Sequence, residues 1–464
     1  MENQTDSSTY LHYNHTDSCK DSRWTARECY EFMYDNRPWQ KVHNFYLNLV
    51  NGRLPIQSLF ATERSSLKDT SGQFAAKSVE ACEEVVELVE GKNKNKKGRW
   101  ARATYKIVLS YHGDSFDGWQ KQPGLNAVQS VVERSIGSFI DEFKAQKLKD
   151  KSLPLEACVA VAGRTDKGVT ALNQKSCRRS EPNVILLYPV SLCRSKNTSL
   201  YIRDPGSSVS LSFRITWRND IKTQDVEDAI NSASPGKLRV ISASKVARDF
   251  HPNFSAKWRR YFYIFPIIDL ENEGIGSGKN DENSNFKEQQ AELKNGCLNV
   301  EEKDEYLVVD AETGGEYRNK PRSFSVKRVN ELLLQLQGKS LSYRMFARDT
   351  KASRSTGPPT ECFIYHARAT EARLPLLEEV CGNDNRGQKV MCVELIGNRF
   401  LRRMVRVLVA TTIREAAAGA DDEALLNLME ATCRRATAPP APPDGLCLLD
   451  VGYEEFNPEN TLIR

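Results

Sequence analysis

The sequence has no long hydrophobic run. Within its 464 residues no apolar stretch approaches the roughly 18 residues needed to cross a bilayer, so we expect no membrane span. The first ten residues, MENQTDSSTY, also lack the basic and then apolar segments of a secretory signal. Acidic residues such as Glu2 and Asp6 argue against a typical transit peptide. We therefore expect an intracellular protein, cytoplasmic or nuclear, and leave an organellar location open.

The spacing that builds most structural zinc sites is also missing. None of the twelve cysteines forms a CxxC pair, and the six histidines do not cluster near them. The lack of CxxC pairs and of nearby histidines argues against a structural zinc site. In an intracellular protein the cysteines are expected to be reduced thiols. The sequence therefore predicts no bound metal.

Neither sign of charge dominates, because 66 Lys and Arg stand against 61 Asp and Glu, a formal net charge of +5. The positive charge is nevertheless concentrated in short clusters at 92–102, 257–260 and 399–406. Two of these clusters are interleaved with aromatic or apolar residues, as in surfaces that bind nucleic acid. A single basic cluster is more often a solvated charged face, so composition alone leaves both interpretations open.

Polar and regular stretches alternate along the chain and predict its organisation. Residues 1–100 are polar and are expected to form a largely disordered extension. Residues 101–268 and 322–464 mix strands with helices at spacings too irregular for a TIM barrel, which favours an α+β fold of two α/β halves side by side. The aperiodic residues 175–211 and the acidic-leaning residues 269–321 are expected to be inserts.

Two predicted elements matter for function. In the strand WRRYFYIF, 258–265, alternation places Tyr261, Tyr263 and Phe265 on one side and the intervening side chains on the other. The segment NRFLRRMVRVLVATTI, 398–413, predicts one helix with an apolar stripe. Arginines fall on the opposite side of this helix or at its border.

The stretch VAGRTDKGVTALNQ, 161–174, follows the predicted strand ACVAVA and carries Arg164 and Asp166 two residues apart. Aspartate and glycine are common in turns, so a salt-bridged turn is one interpretation. An acid and a base held together at the end of a strand also suit a catalytic loop.

Five segments in order resemble the TruA family of tRNA pseudouridine synthases. This resemblance implies the pseudouridine synthase fold, in which fused α/β halves form a joint, mainly antiparallel sheet with an active-site cleft between them. It also implies action on uridines in the anticodon arm of tRNA, a homodimer and no cofactor. The segments are YHGDSFDGWQKQ with AVQSVVE, AGRTDKGVTALNQ (the catalytic loop, 162–174), DFHPNFSAKWRRYFYIF, IGNRFLRRMVRVLVA and APPDGLCLLDVGY.

The residues that match the family's motifs agree with the chemistry. Conversion of uridine to pseudouridine breaks a C–N glycosidic bond and rejoins the base through carbon, which needs an ionised carboxylate and a base pulled from its stack. The resemblance makes Asp166 the nucleophile and Arg164 a contact of the flipped nucleotide. It makes Tyr261 a contact of the target base and Arg406 the guanidinium that favours the charged carboxylate.

Each of these roles has an alternative. Tyr261 lies in an aromatic strand and could be a core residue, and Arg406 could be one more solvated arginine. Asp166 could ligate a metal, although no second carboxylate stands at ligand spacing. The absence of that carboxylate also argues against a glycosidase-like or metal-dependent hydrolase.

The chain departs from the family pattern at two places. Thr170 stands where the family usually has histidine, and the segment between Gln174 and Ser212 replaces a direct connection into the next strand. That insert could be a tolerated surface loop, or it could displace the catalytic loop. A catalytically silent RNA-binding protein on the same fold is therefore the alternative to an active enzyme.

Overall fold

The computed structural model describes residues 24–60, 100–140, 142–172, 210–218, 222–247, 249–268, 324–348, 359–375, 387–431 and 433–464. The expected insert 269–321 and most of the expected insert 175–211 lie outside these residues. Within the described ranges, no helix has both the length and the apolar character that a membrane span requires.

Ten strands of the described residues form one sheet in the order β2-β4-β1-β3-β10-β6-β9-β8-β7, with β5 also paired to β1. All pairs are antiparallel except β3 with β10, which confirms the expected α+β fold with a mainly antiparallel sheet. The strands are β1 (Trp100–Tyr111), β2 (Ala160–Val161), β3 (Thr170–Ala171), β4 (Ser210–Arg218), β5 (Leu238–Val246), β6 (Trp258–Pro266), β7 (Lys339–Ser342), β8 (Glu361–Arg373), β9 (Lys389–Gly397) and β10 (Leu446–Gly452).

The two halves of the chain share the centre of this sheet. β10, from the second half, lies between β3 and β6 of the first half. β6 in turn pairs along its other edge with β9 of the second half. The halves are therefore joined by backbone hydrogen bonds across one continuous sheet, as the resemblance implied.

β3 and β4 lie along the same edge of β1 and in one register. Ala171 pairs with Tyr111, and Ser210 pairs with Val108. On β1, only residues 109 and 110 lie between Val108 and Tyr111, the partners of Ser210 and Ala171. The two strands therefore have the register of one continuous strand along β1. This register agrees with the prediction that the sequence before Gln174 and after Leu211 reads as one strand.

Eight α-helices cover the two faces of the sheet in the described residues. They are α1 (Ala26–Tyr34), α2 (Trp39–Val50), α3 (Val128–Ser135), α4 (Glu142–Asp150), α5 (Thr223–Ala233), α6 (Val326–Leu334), α7 (Met404–Ala417) and α8 (Ala424–Met429).

The side chains of β6 alternate between these two helical layers. Phe262 and Ile264 are fully buried in the cluster that contains the apolar face of α2. Tyr263 and Phe265 are buried on the other face, against α6 and α7. The alternation predicted for this strand is confirmed. Burial of one phenylalanine side chain stabilises the folded state by about 1.5–3 kcal/mol, so the side chains of β6 stabilise the packing of both helical layers on the sheet.

The predicted helix over 398–413 is wrong at its start, because α7 begins only at Met404. Arg403, just before it, adopts the left-handed region with φ 58° and ψ 3°, which a helix cannot contain. Asn398 instead pairs with Phe363: its Oδ1 accepts from the Phe363 amide at 3.0 Å, and its own amide donates to the Phe363 carbonyl at 3.0 Å. The strand predicted at 157–162 is also shorter, since β2 has two residues.

The prediction of a largely disordered extension is wrong for residues 24–60. Thr25 forms a capping box with Glu28 at the start of α1, which satisfies backbone amides that would otherwise lack partners. The apolar side chains of α2 pack onto the sheet, and those of α1 pack beside α7. The segment therefore completes both helical layers. The buried α2 residues are Val42, Phe45, Tyr46, Leu49 and Val50.

Candidate active site

The catalytic loop leaves β2 and enters β3 at the centre of the sheet, where the two halves meet. Its backbone is held on both sides of Asp166. The Thr165 carbonyl accepts from the Trp119 amide at 3.1 Å, and the Val169 amide donates to the Asp166 carbonyl at 3.2 Å. The Thr165 hydroxyl is also hydrogen-bonded to the buried Tyr111 hydroxyl at 2.8 Å. The backbone of Asp166 is thus fixed, while its side chain stays 31% exposed.

Gly168 lets this loop lie close to a neighbouring turn. Its φ of +81° falls in the left-handed region, and a Cβ built there would lie 3.0 Å from Cγ of Pro443. The loop therefore rests on the turn 443–445 that precedes β10.

Thr170, where the family usually has histidine, has a structural contact. Its hydroxyl accepts from the Gly113 amide at 3.0 Å in a buried position. The substitution therefore keeps the end of the loop attached to the segment that follows β1.

Asp166, in the first half of the chain, forms an ion pair with Arg406 in the second half. Its Oδ2 lies 3.7 Å from Nη1 of Arg406 in the first turns of α7, a distance too long for a hydrogen bond. Arg406 is only 11% exposed, and its Nε donates to the Ala441 carbonyl at 2.6 Å. The structure therefore brings together the two residues that the sequence predicts as nucleophile and partner.

Arg164 does not pair with Asp166, so the interpretation as a salt-bridged turn is wrong. Its side chain is exposed, and Nη1 donates to Oε1 of Gln120 at 3.1 Å. The guanidinium thus lies at the surface beside the loop.

Tyr261 lies on β6 beside the same loop. Its ring packs edge-on against Phe400, with centroids 5.0 Å apart, and stays partly exposed. Its hydroxyl lies 4.0 Å from where a Cβ on Gly163 would be. Burial, and to a smaller extent the charge of Asp166, raise the pKa of Tyr261 to about 12, so the hydroxyl keeps its proton near neutral pH. This position suits both packing and contact with a base.

Arg259, in one of the basic clusters, serves the architecture of the site. Its side chain is buried and donates to the Ala162 carbonyl from Nε and Nη2, at 3.2 and 3.0 Å, and to the Asn398 carbonyl at 3.0 Å. Nη2 also donates to Oδ1 of Asn253 at 2.7 Å. Arg259 therefore joins β6 to the start of the catalytic loop and to the segment before α7. Sequence patterns indicate its charge but not these carbonyl partners.

A second carboxylate, Asp444, lies within reach of the Arg406 charge. Its Oδ1 is hydrogen-bonded to Nε2 of His43 on α2 at 2.8 Å. Burial alone would raise the pKa of Asp444, but the bond to His43 and the charges of His43 and Arg406 lower it on balance. His43 and Asp444 were not predicted from the sequence, because the segment that carries His43 was expected to be disordered.

At the site, hydrogen bonds hold the backbone around Asp166, and the Asp166 carboxylate lies opposite the Arg406 guanidinium. The protonated Tyr261 lies beside the same loop. A carboxylate held in this way is the type of group that can attack an electrophilic carbon. Among the described residues no group of three or more His, Cys, Asp or Glu could hold a metal ion.

Comparisons with known proteins place this site in a family context. The family model described as "tRNA pseudouridine synthase" matches residues 346–454, which include Arg406 but not Asp166. The "tRNA pseudouridine synthase A" of Solibacter usitatus is 28% identical over 158 residues, 34% of this chain and 45% of that protein. The chain thus spans about half the length of this relative.

Other relatives match across most of both chains. The "tRNA pseudouridine synthase A" of Leptospira biflexa is 22% identical over 352 residues, 76% of this chain and 94% of the relative. That of Acetivibrio thermocellus is 22% identical over 348 residues, covering 75% and 98%. These matches confirm the resemblance to the TruA family inferred from the motifs.

Proposed function

We propose that the chain is a tRNA pseudouridine synthase. The proposal starts from its resemblance to the TruA family, which extends over most of the chain. The substrate is a uridine in the anticodon arm of tRNA, and Asp166 is the nucleophile. The observation that carries the proposal is the ion pair at 3.7 Å between Asp166 on the braced loop and Arg406 of the other half. Homodimerisation, which the resemblance implies, stays a prediction.

The reaction is an isomerisation and leaves the atom count of the nucleotide unchanged. The bond between N1 of uracil and C1′ of ribose breaks, the base turns, and C5 bonds to C1′ while the proton on C5 moves to N1. The Asp166 carboxylate forms a transient bond, either to C1′ or to the pyrimidine ring, and departs when the new bond forms. Arg406 places a positive charge opposite this carboxylate, 3.7 Å from its Oδ2.

The target base must leave its stack to reach Asp166. Tyr261 offers an aromatic face beside the loop, on which an extruded base can stack. Arg164 and Lys257 are exposed near the same loop and strand and can contact phosphates. Arg259 does not belong to this set, because its guanidinium is already occupied by backbone carbonyls.

The test is to map pseudouridine in unmodified tRNA after incubation with the purified full chain. Asp166→Ala and Asp166→Asn should both abolish pseudouridine formation and leave tRNA affinity within about a few-fold, because affinity comes mostly from phosphate contacts. A substituted protein that keeps turnover would overturn the nucleophile assignment. A wild-type chain that binds tRNA tightly but converts no uridine would support the alternative, a silent RNA-binding protein.

A further inference from the structure

Phe254, in the turn 251–255 before β6, is the most exposed large hydrophobic side chain of the described residues, at 82%. The ring of His251 lies beside it, with ring centroids 4.3 Å apart and an interplanar angle of 33°. So exposed a phenylalanine adds little apolar burial to the stability of the fold. Most of its ring is instead open to a ligand.

The turn that carries Phe254 is held by hydrogen bonds within it. Nδ1 of His251 accepts from the amides of Asn253 and Phe254, at 3.2 and 3.3 Å. The Ser255 amide donates to the His251 carbonyl at 2.9 Å, and the Ser255 hydroxyl accepts from the His251 amide at 3.2 Å. The backbone below the exposed ring is therefore fixed before any ligand arrives, which lowers the entropy cost of binding through this ring.

A single arginine joins this turn to the catalytic loop. Nη2 of the buried Arg259 donates to the Asn253 carbonyl at 3.2 Å and to Asn253 Oδ1 at 2.7 Å. The same guanidinium donates to the carbonyl of Ala162, the first residue of the catalytic loop. Arg259 and Tyr261 are two residues apart on β6, so their side chains lie on the same face of the sheet. The turn is therefore attached on the face that carries Tyr261, beside the start of the loop.

Exposed cations flank the ring on both of the segments that Arg259 joins. Lys257 follows the turn, and Arg164 follows the start of the catalytic loop. Lys257 has an acidic neighbour, Glu455, at 3.6 Å, but the Glu455 side chain is 86% exposed, and such surface pairs bind weakly. Proteins bind single-stranded nucleic acid with this combination, in which cations contact the backbone and an aromatic ring stacks on a base.

We propose that Phe254 is a binding residue for the substrate RNA, and that its ring stacks on a base that adjoins the extruded uridine. The proposal rests on the proposed function for the RNA substrate. When the target uridine leaves its stack, the adjoining base loses a stacking partner, which an aromatic side chain of the protein can replace. The ring forms no bond with the reacting atoms, so it contributes to affinity for RNA and not to the chemical step.

The first experiment measures binding of the full chain to an RNA hairpin with the sequence of a tRNA anticodon arm. Phe254→Ala should raise Kd roughly fivefold to a hundredfold, the range for the loss of one stack between a base and an aromatic ring. Phe254→Trp keeps an aromatic face and should bind as wild type does. Phe254→Leu keeps an apolar side chain without that face and should bind as weakly as Phe254→Ala.

Phe143→Ala is the matched control, because Phe143 is 80% exposed on α4, which contributes no residue to the candidate site. It should leave Kd unchanged, and all four variants should keep the wild-type Tm because the substituted side chains are exposed. Equal losses of affinity in Phe254→Ala and Phe143→Ala, or full affinity in Phe254→Leu, would overturn the proposal. So would a loss of affinity that is matched by a fall in Tm.

Photochemical cross-linking tests the stack without any reaction of the enzyme. The probe is the same hairpin with 5-iodouridine at each nucleotide in turn, a base that cross-links under ultraviolet light to an aromatic ring stacked on it. Mass spectrometry should find Phe254 joined to a nucleotide beside the isomerised uridine, and Phe254→Leu should abolish this product. If the wild-type chain binds the hairpin but forms no pseudouridine, the proposed function fails, and the cross-link still decides the stack. A hairpin that binds without cross-linking to Phe254 at any position, or that does not bind, would overturn the inference.

A second copy of this chain is the other partner that would cover the ring. Light scattering of wild type and Phe254→Ala without RNA distinguishes this outcome. The two proteins should have the same molar mass. A lower mass for Phe254→Ala would assign the ring to a contact between subunits and overturn the proposal.

Discussion

The interrupted strand leads to a deletion whose outcome can be worked out from the register. Joining Gln174 directly to Leu211 removes residues 175–210 and places Gln174 opposite Val108, while Leu211 keeps its partner Ile107. The deletion therefore restores one unbroken strand along β1. Every β4 residue that follows the junction keeps its present partner on β1.

The expected gain in stability comes from loop closure. A connection of about 36 residues costs roughly (3/2)RT ln n, or about 3 kcal/mol, relative to a direct link. Restored ladder hydrogen bonds add on the order of 1 kcal/mol each. We expect Tm to rise by about several degrees in thermal unfolding. Activity on tRNA should be at least that of the full chain, because β3 holds the loop that carries Asp166.

A deletion that is longer by one junction residue is the matched control. Joining Asn173 to Leu211 removes only one more residue but shifts the register by one, which would turn each following side chain to the opposite face. This variant should unfold or lose several degrees in Tm. Equal stability of the two deletions, or unfolding of the in-register deletion while the full chain stays folded and active, would refute the strand alignment.

Two further predictions concern buried polar contacts. Arg259→Ala should lower the free energy of unfolding by about 2–4 kcal/mol, because the backbone carbonyls that Arg259 binds lose their donor. Arg402→Ala removes an exposed arginine nearby and should change the free energy of unfolding by less than about 0.5 kcal/mol. Equal effects of the two substitutions in denaturant titrations would contradict this prediction. The hydrogen bond to Asp444 raises the pKa of His43, so its contribution to stability is present below about pH 6.5 and is lost as pH rises through the raised value. The Tm difference between wild type and His43→Gln should therefore shrink from pH 5.5 to 8.5, and a constant difference would show that this pair does not titrate in that range.

Motif resemblance predicted the long-range pairing at the site but not its local geometry. Asp166 and Arg406 are far apart in sequence, and only the family's motifs linked them before the structure did. The helix over 398–413 was predicted to start too early because its apolar stripe extends past Arg403, where the backbone turns left-handed. Hydrophobic periodicity registers the stripe but carries no information about one residue's φ.

The N-terminal segment was missed although its sequence carries two helix signals. Thr25 and Glu28 have capping-box spacing, and the apolar residues of α2 recur at three- and four-residue intervals from Val42. The polar composition of residues 1–100 as a whole obscured these short patterns.

The position of β10 has a consequence for how the protein is made. It is the last of the ten described strands along the chain, yet it fills the place between β3 and β6. During synthesis the other nine strands emerge first, so the edges of β3 and β6 stay unpaired until residues 446–452 leave the ribosome. Open strand edges invite pairing with other chains. A nascent or truncated chain that lacks β10 should therefore depend on chaperones and aggregate readily, and the proposed catalytic centre can form only after β10 has joined the sheet.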